Sequence, residues 1–261
     1  MFGSFNFSRF FKGFAWSGSF DSYYTKLIES WKSRYTSKES KPEPTDGEDV
    51  LTGTSRSDEI SGRDGDDRID GGHGNYKLYG GDGIDTINGG SDRDYVNGGN
   101  GDETIDGGSG NDRLYGGDGN ETLNGGDQFG ALYGGADNDT LNGGDGGDHV
   151  QGDAGDDTLN GEGGNDWMLG VDGNDTINGG DGRYRMFGHD GNDILFGGAG
   201  EDTMAGGAGS DTFVYGAMSE ARDTITDFET GPLGDSLDLA QLMVNIGYMA
   251  AVMPSPMVIC S

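Results

Sequence analysis

Every ninth residue from Asp58 to Asp211 is a carboxylic acid, with three exceptions. The run reads Asp58, Asp67, Tyr76, Asp85, Asp94, Glu103, Asp112, Glu121, Gly130, Asp139, Asp148, Asp157, Asp166, Asp175, Tyr184, Asp193, Asp202, Asp211. A carboxylate offers two hard oxygen ligands, and a row of them at fixed spacing suits a hard cation that takes about six to eight oxygens. Asp also occurs in Gly-rich turns for conformational reasons alone. Turn chemistry does not require what is found here, thirteen Asp and two Glu in strict phase with Gly and an apolar residue. The three histidines, His73, His149 and His189, share no phase and no H-E-x-x-H spacing, so a zinc protease site is absent. No G-x-S-x-G nucleophile elbow and no G-x-x-x-x-G-K-[ST] phosphate loop occurs. The residues supply ligands for a metal but no catalytic constellation, and a non-enzymatic protein is expected.

The acids sit at position six of a nine-residue unit, G-G-x-G-x-D-x-U-x, where U is apolar. It repeats eighteen times between Gly53 and Val214 without insertion or deletion. Gly80-Gly81-Asp82-Gly83-Ile84-Asp85-Thr86-Ile87-Asn88 is a clean copy. Position one is Gly in every copy and position eight is apolar in every copy. A fixed short period with one apolar residue per unit predicts a solenoid whose units bury that side chain against their neighbours. The first six residues, rich in Gly, read as a tight turn, because Gly accepts left-handed backbone freely. The last three, x-U-x, read as a short strand whose middle side chain points inward.

On these residues the chain resembles the RTX (repeats-in-toxin) family of secreted calcium-binding β-rolls with hemolysin-type nonapeptide repeats. The resemblance implies an all-β fold, a right-handed parallel β-roll of about nine coils with two units per coil. It also implies that each calcium ion lies between the turns of units n and n+2, held by turn carbonyls and position-six carboxylates. On that reading the even units present Asp67, Asp85, Glu103, Glu121, Asp139, Asp157, Asp175, Asp193 and Asp211, which make eight complete carboxylate pairs. The odd units are broken by Tyr76, Gly130 and Tyr184, and only Asp94/Asp112 and Asp148/Asp166 are complete. Three of these ten pairs involve a Glu, whose longer side chain displaces its oxygens. The expectation is about seven to ten calcium ions.

Charge agrees with a need for cations. The chain carries a formal net charge of −31, and residues 53–214 hold 34 acidic and 8 basic side chains, a net of −26. So acidic and weakly apolar a segment stays disordered until it is neutralised, and its field repels nucleic acid. Cys260 is the only cysteine, so no intrachain disulfide can form, and a metal is the expected staple. No run approaches the ~20 apolar residues of a membrane span. Arg9 and Lys12 interrupt the apolar N-terminal stretch, which does not read as a cleaved signal peptide.

Four regions are expected. Residues 1–36 form an aromatic-rich N-terminal capping segment, with a short helix that places Tyr24, Leu27, Ile28, Trp31 and Tyr35 on one face. Residues 37–52 are a polar linker, residues 53–214 the calcium-binding roll, and residues 215–261 closing strands followed by a secretion-signal tail. The Met-rich residues 240–261 depart from the family pattern. Outward aromatics at position nine, among them Tyr79, Tyr115, Tyr133, Phe187 and Phe196, would offer rings to a carbohydrate or cell-surface partner. By resemblance, such a chain leaves a Gram-negative bacterium through type I secretion machinery and folds in extracellular calcium. Only about fifty residues precede the array, fewer than a protease, lipase, epimerase or pore-forming domain needs. A small secreted calcium-binding protein is the expected function. The alternative is the C-terminal calcium-binding and secretion module of a truncated enzyme or toxin.

Overall fold

The structure, a computed structural model, describes residues 44–216 and 222–240. The described residues all belong to one compact unit of the chain. The expected helix before the linker and the Met-rich tail lie outside the described residues.

Among the described residues, twenty-one strands, from β1 (Val50–Thr52) to β21 (Ser236–Asp238), alternate between two parallel sheets. Odd-numbered strands form an 11-stranded sheet and even-numbered strands a 10-stranded sheet. Partners are eighteen residues apart, so that Ile87 in β5 (Thr86–Ser91) lies between Ile69 and Ile105. Two nine-residue units therefore make one coil of a parallel β-solenoid. The solenoid outruns the strict period at both ends. Val50–Thr52, expected to end the linker, pairs with β3 (Arg68–Asp70). Past Val214, β20 (Thr224–Ile225) extends one sheet and β21 the other. The result is about ten coils rather than nine.

Position eight lines the interior. Ile60, Leu78, Val96, Leu114, Leu132 and Val150 stack along one sheet, and Ile69, Ile87, Ile105, Leu123 and Leu141 along the other, each at most 2% exposed. The outer face of the 11-stranded sheet has its own repeat. Asn178, Asn160 and Asn142 each donate a side-chain amide hydrogen bond to the asparagine one coil earlier, at 3.0, 2.9 and 2.8 Å. Such a ladder fixes register between identical strands.

The strands are longer than the expected three residues. Most span six, running through positions seven to nine into positions one to three of the next unit, as in β6 (Tyr95–Asn100) and β7 (Thr104–Ser109). The glycine pairs are thus strand residues, and only positions four to six turn. Close stacking of the coils explains why glycine is used there. Gly99 has a φ of 126°, and a Cβ on it would overlap the carbonyl oxygen of Gly81 in the preceding coil.

Several second positions nevertheless carry a side chain at positive φ, including Arg63, Asp153, Glu162, Val171 and His189. Val171 is the most strained in kind, because a β-branched residue at φ 97° crowds its own carbonyl. Val171→Gly is expected to stabilise the folded protein by about 1 kcal/mol, relief of strain outweighing the added chain entropy of Gly. A calorimetric melt of the calcium-loaded variant tests this, and a lower midpoint would show that the valine contributes packing worth more than its strain.

Candidate metal centre

Each position-six side chain turns inward at the corner of a coil. In the position-six aspartates from Asp67 to Asp211, one carboxylate oxygen accepts the backbone N–H of the residue at the same corner one coil earlier. The amide of Asp67 donates to Asp85 Oδ1 at 2.8 Å, that of Asp139 to Asp157 Oδ1 at 2.7 Å, and that of Asp157 to Asp175 Oδ1 at 2.9 Å. On the other flank Asp94 donates to Asp112 Oδ1 and Asp148 to Asp166 Oδ1, both at 2.8 Å. The second oxygen leans over the position-one glycine of its own unit. A Cβ on Gly80, Gly152, Gly170 or Gly188 would overlap Oδ2 of Asp85, Asp157, Asp175 or Asp193. In these units position one is glycine because the carboxylate occupies the space of its side chain.

All thirteen carboxylates singled out in the sequence are at most 2% exposed, and Asp202 joins them. In every one of the eleven aspartates among the thirteen, Oδ2 is buried without a hydrogen-bond partner. Glu103 and Glu121 leave both oxygens unpartnered, so the amide ladder breaks where the side chain is longer. A buried acceptor without a donor costs roughly 1–3 kcal/mol, and more when charged. Burial accordingly pushes these acids up. Asp85, Asp112, Asp157, Asp166 and Asp193 rise to about 6, Asp94, Asp148 and Asp175 to about 7, and Glu103 to about 8. Glu121 and Asp139 are raised by burial, and each is further raised by neighbouring carboxylates. A row of inward-facing oxygens that lacks donors fits a hard cation. Among the described residues no three His, Cys, Asp or Glu side chains converge on one point. An ion held here must therefore draw main-chain carbonyls as well, an oxygen shell of the kind calcium takes.

The two flanks differ as the period implies. The even flank carries a carboxylic acid in every unit from Asp67 to Asp211. On the odd flank, aromatic side chains replace two carboxylates. The Tyr184 hydroxyl donates to the carbonyl of Glu162 at 2.9 Å, and its ring packs on Gly161 and Gly179. The Tyr76 hydroxyl reaches the carbonyls of Thr54 and His73, with its ring on Gly53 and Gly71. A phenol thus satisfies turn carbonyls where the neighbouring coils present a carboxylate. At Gly130 only the backbone takes part, its N–H donating to Asp148 Oδ1 at 2.5 Å.

The ends of the roll are finished differently. Asp58 Oδ2 accepts the amide of Thr54 at 2.9 Å and its hydroxyl at 2.7 Å, and Asp49 Oδ2 accepts the same two groups of Thr45 at 2.6 and 3.1 Å. At the far end, Asp235 accepts the amides of Asp211 at 3.1 Å and Glu229 at 2.7 Å. Asp223 Oδ1 accepts the amide of Asp202 at 3.0 Å. Asp49, Asp223 and Asp235 thus continue the position-six ladder but escape a reading tied to the strict period. Their signal is the bare D-x-U triplet: Asp49-Val50-Leu51, Asp223-Thr224-Ile225 and Asp235-Ser236-Leu237. The histidines stay apart, with His73 Nδ1 at 2.8 Å from the Ser91 hydroxyl.

A family model for the RTX calcium-binding nonapeptide repeat matches residues 44–78, 77–102, 97–130, 133–168, 160–183 and 185–217. No curated protein matches the chain. Among solved structures, the chain is similar to a hyperactive, Ca2+-dependent, β-helical antifreeze protein from an Antarctic bacterium. The two share 21% identity with a TM-score of 0.52, over 79% of this chain and 87% of the other. At that identity the likeness is one of fold. The matched segments include every coil whose carboxylates lack donors, and they cover well over half of the sequence. The chain belongs to the RTX family of calcium-binding nonapeptide-repeat proteins.

Proposed function

We propose that the protein is a secreted, non-enzymatic calcium-binding roll that folds as it takes up the ion outside the cell. The observation that carries this reading is the row of buried, donorless carboxylate oxygens. Where threonine or main-chain donors finish the ends, at Asp49, Asp58 and Asp235, that need disappears. Asp67, Asp85, Glu103, Glu121, Asp139, Asp157, Asp175, Asp193 and Asp211 would hold ions on one flank, with Asp94/Asp112 and Asp148/Asp166 on the other, each pair joined by turn carbonyls. Eight pairs on the first flank and two on the second support about seven to ten ions, the lower figure leaving out the three pairs that contain Glu103 or Glu121. When bound, calcium supplies positive charge and an oxygen-rich shell that the buried row lacks. Without it, desolvation and repulsion along the row oppose the folded state, and the array's composition favours an open chain.

An open acidic chain at low cytosolic calcium suits passage through a type I secretion channel of a Gram-negative cell, followed by folding in a calcium-rich exterior. The non-enzymatic part of the reading rests on uniformity. Acid–base catalysis needs neighbouring groups in contrasting environments, whereas these carboxylates share one setting repeated along the roll.

Asp157 lies mid-way along the unbroken flank, between Asp139 and Asp175, and Asp157→Ala is expected to disable two adjacent sites. Asp58→Ala is expected to move the calcium midpoint of folding much less, because Thr54 already satisfies that carboxylate. Gly130→Asp, in the middle of the odd flank, is expected to lower the midpoint by adding partners for Asp112 and Asp148. Calcium titrations followed by far-ultraviolet circular dichroism read all three. Equal losses from the two alanine variants, with no gain from Gly130→Asp, would overturn the two-flank assignment.

Protons should partly replace calcium. Folding raises these carboxyls to about 6–8, whereas in the open chain they titrate near 4. The calcium-free roll therefore takes up protons on folding. Stability from these groups is fully present below about pH 4 and is lost as pH rises through about 6–8. In EDTA, β-structure is expected to increase between pH 7.5 and pH 5, and a dichroism signal that stays flat over that interval would contradict the burial of the row.

A further inference from the structure

Five of the eight basic side chains in residues 53–214 gather along one side of the roll. Lys77, Arg93 and Arg113, with Tyr95, line one groove of about 540 Å³. Arg183 and Arg185, with His149 and Trp167, line a second groove of about 540 Å³, and Phe129 lines both. The grooves thus meet end to end at Phe129. Their wall is a single register of position-seven side chains, Lys77, Tyr95, Arg113, Ala131, His149, Trp167 and Arg185, one per coil. Six coil steps separate its ends, roughly 29 Å at ~4.8 Å per strand.

The repeat itself does not demand this wall. The matching register on the opposite sheet is Arg68 followed by Thr86, Thr104, Thr122, Thr140, Thr158 and Thr176, with one cation and no ring. On the grooved side, rings also touch along the roll axis. Tyr79, Tyr95, Tyr115, Tyr133, His149 and Trp167 follow one another with centroids 4.8 to 6.0 Å apart. Trp167 and Phe129 are each 50% exposed. Arg183 is paired with Glu201, which also binds Arg222 at 2.6 Å. Among the described residues Lys77, Arg93, Arg113 and Arg185 make no ion pair. Exposed cations outside any ion pair, on a chain of net charge −31, are free to meet an anion. Rings alternating with those cations offer flat apolar faces between the charges. A straight groove of repeated rungs fits a repeating polymer better than a compact ligand.

We infer that this groove binds a linear acidic polysaccharide, its sugar faces on Tyr95, Phe129 and Trp167 and its carboxylates on Lys77, Arg113 and Arg185. Guanidinium groups match planar carboxylates through paired hydrogen bonds. The inference rests on the calcium reading. Asp94, Asp112, Asp148 and Asp166 line the same grooves, and their charge would repel the polymer until calcium neutralises it.

The test is isothermal titration calorimetry of the full chain in calcium with hyaluronan oligosaccharides, which alternate uronic acid and neutral sugars. Circular dichroism of the same samples checks folding. Dextran, poly-glutamate and single-stranded DNA are the comparison polymers. Hyaluronan is expected to bind, with dextran and DNA silent and poly-glutamate much weaker. Arg113→Glu with Arg185→Glu, and separately Trp167→Ala, should each weaken hyaluronan by about tenfold or more. Arg68→Glu, a cation on the other sheet, should leave it unchanged. A folded roll that ignores hyaluronan would overturn the inference, as would one that binds poly-glutamate equally well and is indifferent to Trp167→Ala. A chain that stays unfolded in calcium overturns the calcium reading first, and this inference with it.

Discussion

The structure depends on one contact repeated coil after coil, a buried position-six carboxylate with one oxygen on the amide of the coil before and the other left without a donor. The amide bond fixes the height of each coil on the last. The free oxygen occupies the space above the position-one glycine of its unit, and where no carboxylate lies there, at Gly53, Gly71, Gly125 and Gly179, the carbonyl of the position-one glycine one coil on crowds the same space. A fold with one apolar side chain per nine residues has little else to hold its turns, and the same carboxylates that order the turns oppose folding while they remain charged and unpaired. On the proposed function, stability and calcium binding are in this way properties of the same atoms.

The exceptions to the contact follow the same physics. At the first coil, Thr45 and Thr54 donate amide and hydroxyl to Asp49 and Asp58, so the end of the roll is closed by protein donors. At Tyr76 and Tyr184 a phenol reaches turn carbonyls and its ring fills the corner. Terminal repeats of a solenoid have a neighbour on one side only and need such caps. The interior of the even flank, which has neither device, is where every carboxylate keeps a bare oxygen. One flank thus presents donorless carboxylate oxygens along its whole length, while the other is a mixed surface of carboxylates, tyrosine corners and a basic, aromatic groove.

Much of this was legible in the residues. The nine-residue period announced the solenoid, and position eight announced the core from Ile60 to Phe213. The parity of position six separated the unbroken flank from the broken one. Strand length was not legible, because Gly-Gly pairs signal turns locally and become strand only when a coil stacks on another. Asp49, Asp223 and Asp235 were missed because spacing changes outside the array while the D-x-U triplet persists. The ring track combines position nine at Tyr79 with position seven at Tyr95, a neighbour relation set by the sheet rather than by the sequence. The sequence pointed only to the position-nine aromatics, and the cations beside them come into line only once the coils are stacked.

The measurement that bears most directly on this account is an ion count on the folded chain, by equilibrium dialysis against calcium at pH 7.5, read beside far-ultraviolet circular dichroism of the same sample before and after EDTA. If donorless carboxylate pairs hold the ions and the ions hold the fold, the count should fall between about seven and ten, and the β-signal should vanish as they leave. A roll that keeps its β-signal without calcium, or that binds only one or two ions, would contradict it.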